Sequence, residues 1–89
     1  MAIAEPALTI GIEEEYLLVD RQTRDLVSNP PDALMERCQA RLGERVTTEF
    51  MQAQIEIGTH VCHDIAEARA QLIELRRGVA EVADEYGLA

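Results

Sequence analysis

The chain has 89 residues, with 17 acidic against 8 basic side chains for a formal charge of −9, and every basic residue is Arg. That length suits one small domain, and a hydrophobic fraction of 47% supplies a real core and disfavours disorder. The acidic balance argues against binding nucleic acid or anionic membrane surfaces, and the absence of Lys excludes Schiff-base and P-loop lysine chemistry. Excess carboxylate instead favours cations, or ligands that arrive with cations.

No run of 18 apolar residues is present, so no bilayer-spanning segment is expected. The opening MAIAEPALTI lacks a basic n-region and leads into a strand-like pattern, so it does not read as a signal peptide. Cys38 and Cys62 give no disulfide framework; reduced thiols and a cytoplasmic location are the expectation.

Residues 8–20, LTIGIEEEYLLVD, predict a first strand. Ile10, Ile12, Tyr16 and Leu18 share one face, interrupted by Glu14, while Thr9, Gly11, Glu13, Glu15 and Leu17 take the other. Residues 20–31 form a polar connector with turns at Asp20–Thr23 and Ser28–Pro31 and a weak returning strand at Asp25–Ser28.

Pro31 and Asp32 start a helix over 32–42, in which Leu34, Cys38 and Leu42 recur at helical spacing before Gly43 ends it. Residues 46–59 predict a second strand, with Met51, Ala53, Ile55 and Ile57 on one face and Gln52, Gln54 and Glu56 on the other. Asp64 and Glu67 then form a capping-box-like start to a helix over 65–86. Ile65, Ala68, Leu72, Leu75, Val79, Val82 and Tyr86 make its apolar stripe, which runs to Gly87. At ~1.5 Å per residue this helix is about 33 Å long, suited to lying across a sheet or to pairing with a partner helix.

The informative feature is Glu13-Glu14-Glu15 inside an apolar strand. Strand side chains alternate, so Glu13 and Glu15 point the same way about 7 Å apart. Two unscreened charges at that distance repel by roughly 2 kcal/mol at an effective dielectric near 20. Glu is also a poor strand former. Solvation, an Arg partner or a metal ion must compensate. If the two strands are neighbours with their apolar faces on the helices, Glu13, Glu15 and Glu56 converge on the opposite side. Three carboxylates suit Mg²⁺ or Mn²⁺ bridging to substrate phosphates, while a solvated polar sheet face is the plainer alternative.

Thr9-Ile10-Gly11-Ile12-Glu13-Glu14-Glu15-Tyr16-Leu17-Leu18-Val19-Asp20 resembles the first strand of the carboxylate–amine ligases of the glutamate–cysteine ligase type 2 family. Glu49-Phe50-Met51-Gln52-Ala53-Gln54-Ile55-Glu56-Ile57-Gly58-Thr59, followed by Val61-Cys62, is similar to that family's next core strand. The long helix from Asp64 sits where the family has one, so the likeness runs over nearly the whole chain.

The resemblance implies a glutamine-synthetase-like catalytic sheet and ATP-dependent ligation. ATP phosphorylates a substrate carboxylate, in the type reaction the γ-carboxylate of L-glutamate, and the amine of cysteine then forms the amide. It further implies Mg²⁺ or Mn²⁺ held by Glu13, Glu15 and Glu56, with Gln54 reaching substrate; it identifies no residue of this sequence as catalytic. Family members are several times longer. Residues 1–89 therefore read as an N-terminal segment of a ligase catalytic domain, not expected to be active alone. Its partners would be small-molecule substrates together with the remainder of the domain or further copies of the chain.

Other signals are weaker. His60-Val61-Cys62-His63, with Cys38, offers zinc ligands but matches no common zinc spacing; a buried Cys62 with histidines at a strand-to-helix turn is the expectation. Cys38 reads as a core thiol. Glu74 and Glu81 lie three residues before and four after Arg77, so local pairing is the expectation there. The fold expectation is α+β: a small, mainly antiparallel sheet of two to three strands with two helices packed on one face. The rival to a ligase is a non-enzymatic module that recruits a partner through helix 65–86 or an open sheet edge.

Overall fold

The computed structural model describes residues 8–48 and 54–89. It is α+β, a three-stranded antiparallel sheet and two helices, with elements β1 (Glu13–Leu17), α1 (Asp32–Leu42), β2 (Val46–Thr48), β3 (Gln54–Gly58) and α2 (Ile65–Glu85). The strand order is β1-β3-β2, so β3 is central.

The stretch read as one strand over 46–59 is two strands. Val46 pairs with Ile57 and Thr48 with Ile55, so the chain reverses between β2 and β3. The reason lies in side-chain parity. Val46, Ile55 and Ile57 are all buried, and an even and two odd positions cannot share one face of an unbroken strand. The facing expected of Met51, Gln52 and Ala53 falls outside the described residues.

The ordered ladder of the first strand is shorter than residues 8–20, but its facing is as expected. Ile10 bridges Cys62 at one end, and Val19 bridges Leu26 at the other. The weak returning strand is therefore a single bridge, with Val27 N–H donating to the Leu18 carbonyl at 2.9 Å. Asp20 makes the turn before it: its Oδ1 accepts from the backbone N–H of Gln22 at 2.8 Å and of Thr23 at 2.9 Å. Those two bonds hold the Asp20 carboxyl below its usual range.

α1 begins at Asp32 with Pro31 as its N-cap, and Gly43 ends it in the left-handed region at φ 70. Asp64 caps α2 by accepting from Glu67 N–H at 2.7 Å, and Glu67 reaches back to His63 N–H at 2.9 Å. The two helices run antiparallel, since Arg37 pairs with Glu85 and Arg41 with Glu81.

The core joins Leu34, Cys38 and Leu42 of α1, Val46, Ile55 and Ile57 of the sheet, and Leu75, Val79 and Val82 of α2. The stripe of α2 is thus largely spent within the chain. Ile65 is the exception: it belongs to the helical repeat but is 69% exposed. Among the described residues, no helix is long and apolar enough to cross a membrane.

Candidate functional site

The core takes the even-numbered side of β1 and the odd-numbered side of β3, which leaves Glu13, Glu15, Gln54, Glu56 and Gly58 on the opposite, open face. Thr47 of β2 joins them. The pairing register then sets distances within this group. Thr59 N–H donates to the Ile12 carbonyl at 2.9 Å, so even-numbered residues of this strand carry the hydrogen bonds to β3. Glu13, Glu15 and Leu17 consequently occupy the closer, non-hydrogen-bonded pairs with Gly58, Glu56 and Gln54. Partners in such pairs have Cβ atoms about 4.5–5.5 Å apart, and like charges there are destabilising.

Gly58 faces Glu13 and brings no side chain, so the space between Glu13 and Glu56 stays open. A depression of about 330 Å³ lies there, lined by Glu13, Glu56, Thr47, Thr59, Glu44 and Arg45. Glu15 shares the face one step along, directly opposite Glu56. Gln54 also shares the face, but opposite Leu17 and outside the depression.

Among the described residues, no three Asp, Glu, His or Cys side chains already converge as a metal cage. The donor chemistry nevertheless fits a hard cation. Mg²⁺ usually binds through one or two carboxylates plus waters and substrate phosphates, so a closed protein cage is not required. All three carboxylates ride on flexible side chains above a fixed ladder.

The possible compensations for crowded carboxylates are resolved differently along the same strand. Glu14 points to the helix side and takes an Arg partner. Arg76 donates to it through Nε at 2.8 Å and Nη2 at 2.6 Å, and the Tyr16 hydroxyl adds a bond of 2.7 Å. The Arg76 guanidinium, then Tyr16, lower the Glu14 pKa to about 2. Burial, then the adjoining Glu14 carboxylate, push the Tyr16 hydroxyl up to about 12. Among the described residues the other ion pairs join Arg21 to Asp84, Arg37 to Glu85, Arg41 to Glu81 and Arg45 to Glu74. None reaches Glu13, Glu15 or Glu56. The Glu13–Glu15 run therefore divides into one structural carboxylate and two that no described Arg neutralises.

The local pairing of Arg77 with Glu74 and Glu81 is replaced by these longer-range contacts. Arg45 is mostly buried and forks onto Glu74, and Arg41 of α1 faces Glu81 of α2, so packing wins over adjacency in sequence. Cys38 and Cys62 are both fully buried, as expected, and burial raises the Cys38 thiol pKa. His60 and His63 are exposed at the strand-to-helix turn, and the Cys62 thiol donates to the His60 carbonyl at 3.1 Å. Sequence reasoning missed Thr47, Thr59, Glu44 and Arg45 as neighbours of the acidic group. The signal for Thr47 was present: once 46–59 is split, a buried Val46 puts Thr47 on the open face.

The family model described as glutamate-cysteine ligase family 2 matches residues 9–89. A protein from Rhodospirillum rubrum with the provisional name glutamate–cysteine ligase 2 is 57% identical over 89 residues, covering 96% of this chain and 23% of its own length. Proteins with the same provisional name from Paracoccus denitrificans and a Jannaschia species are 54% and 58% identical, covering 96% and 91% of this chain. The chain spans 22% and 21% of those two relatives, so in each case it corresponds to under a quarter of the relative's length.

Proposed function

The chain belongs to glutamate–cysteine ligase family 2, and on that premise we propose that it forms the metal-binding part of an ATP-dependent carboxylate–amine ligase. The substrate carboxylate, of the L-glutamate type, accepts the terminal phosphoryl group of ATP to give an acyl phosphate and ADP. The amine, cysteine in the family's type reaction, attacks the acyl carbon, forming the amide and releasing phosphate. The remainder of the site lies in the part of the relatives that this chain does not span.

Glu13, Glu15 and Glu56 would hold Mg²⁺ or Mn²⁺ at the open face of the sheet. When bound, the ion neutralises charge on the ATP phosphates and on the phosphoryl group in transfer. The chain's own residues supply the rest of this part. The β1–β3 ladder fixes the ligand backbones, and Glu14 with Arg76 ties β1 to α2 so that the ladder stays seated on the core. Gln54, on the same face, would donate its amide to a substrate oxygen.

One observation carries the reading: Glu15 stands opposite Glu56 in the close register, and no described Arg pairs with either. The helix-recruitment alternative is weakened because most of the α2 stripe is already buried in the chain's own core. The test is ADP release with L-glutamate and cysteine, using a polypeptide of the relatives' length. Glu56→Gln should lower kcat/KM by at least ~100-fold with an unchanged fold. Unchanged kinetics in that variant would overturn the assignment.

A further inference from the structure

β3 occupies only one edge of β1. Because even-numbered residues bond to β3, the N–H and C=O groups of Glu13, Glu15 and Leu17 point away from it, along the other edge. That edge is already in use at one end. Val19 N–H donates to the Ala89 carbonyl at 2.9 Å, Ala89 N–H donates to the Val19 carbonyl at 2.9 Å, and Arg21 N–H donates to the Gly87 carbonyl at 3.1 Å. Asp20 and Leu88 form the antiparallel bridge between these bonds. The backbone at Ala89 is therefore paired with this strand and heads antiparallel to it, towards Leu17.

The helix side of the same edge is apolar and open. One groove of about 220 Å³ runs between Tyr16, Leu18, Val79 and Ala83. A second, of about 410 Å³, lies between Ile12, Ile65, Leu72 and Ile73. Arg76, held by Glu14, separates them. Among the described residues nothing pairs with this edge from Glu13 to Leu17, and two apolar grooves beside such an edge are the surface that an added strand covers with alternate side chains.

We propose that the open edge of β1 receives a further antiparallel strand, supplied by the polypeptide that follows Ala89 in a chain of the relatives' length. The Val19–Ala89 pair sets its register. The second, fourth and sixth residues after Ala89 pair with Leu17, Glu15 and Glu13 and share their open face. The first and third residues enter the groove beside Leu18 and Tyr16. The fifth meets the Glu14–Arg76 pair, and the seventh reaches the groove beside Ile12. The segment should thus carry apolar side chains at its first, third and seventh positions. Its fourth and sixth residues flank the acidic face and are placed to contact whatever binds there. The strand assignment itself does not depend on the ligase reading.

The test is amide hydrogen exchange by NMR on the polypeptide of the relatives' length. The amides of Glu13, Glu15 and Leu17 should exchange on the order of 100-fold more slowly than in an unstructured peptide. Backbone cross-strand contacts should join Glu15 to the fourth residue after Ala89. Unprotected amides at these three positions, beside protected ones at Glu14 and Tyr16, would overturn the proposal. So would cross-strand contacts from any other segment, or a reading frame that ends at Ala89.

Discussion

Glu15 faces Glu56 across the β1–β3 ladder in a close, non-hydrogen-bonded pair. An antiparallel sheet ordinarily avoids opposing like charges in this position, because little solvent separates them. The arrangement costs stability in the bare chain, and on the proposed function a bound cation would offset that cost. Both directions are measurable.

Without divalent ions, Glu15→Gln should raise stability by about 0.5–1 kcal/mol, since it removes the repulsion and keeps the side-chain shape. Urea denaturation in the presence of a chelator checks this. With saturating Mn²⁺ the order should reverse, and the unaltered protein should gain more in Tm than the variant.

Glu14 should behave in the opposite way from its neighbours. Its pKa is lowered by Arg76 and Tyr16 to about 2 from an ordinary value of 4.5. Between those values the unfolded state binds more protons than the folded one. The contribution is therefore complete above pH 4.5 and is lost as pH falls towards 2. Glu14→Gln should destabilise by about 1 kcal/mol at pH 7, a modest figure because the pair is partly solvated. The variant should also show a flatter stability profile between pH 4.5 and 2, as followed by thermal melts.

Gly78 marks the close approach of the two helices. A Cβ at that position would lie 2.8 Å from both methyl carbons of Leu42, which is itself buried. Gly78→Val should therefore destabilise by about 1–3 kcal/mol through overpacking, whereas a Gly in an exposed helix site normally gains from substitution. Chemical denaturation of Gly78→Val with and without Leu42→Ala separates the two cases. The double variant should recover part of the loss if the clash is with Leu42.

Both thiols should resist modification in the folded chain. Cys38 and Cys62 have no exposed surface, and burial raises the Cys38 pKa. An aromatic disulfide reagent should label neither residue within minutes under native conditions and both in denaturant, as read by absorbance.

Much of this arrangement is legible in the sequence because it rests on periodicity. The alternation of Ile10, Ile12, Tyr16 and Leu18 against Glu13 and Glu15 gives both faces of β1, and Leu34, Cys38 and Leu42 give the buried side of α1. The Asp64 cap is likewise local. What periodicity could not supply depends on contacts distant in sequence. Glu14 looked like an interruption of the apolar face; Arg76, 62 positions away, makes it a fit occupant. Arg45 and Arg41 take Glu74 and Glu81 from Arg77 for the same reason. The split of 46–59 was readable from the parity of Val46 against Ile55 and Ile57, but only once all three were known to be buried. Ile65 keeps the helical repeat yet lies at the end of α2, where the described fold offers nothing to cover it.

The central claim is that Glu13, Glu15 and Glu56 form the cation site while Glu14, in the middle of the same run, does not. Mn²⁺ titration of a polypeptide of the relatives' length, followed by electron paramagnetic resonance of the free ion, tests this most directly. Glu15→Gln and Glu56→Gln should each weaken binding by at least ~10-fold, while Glu14→Gln leaves it within about twofold. Equal affinity in all three variants, or a loss confined to Glu14→Gln, would contradict the account.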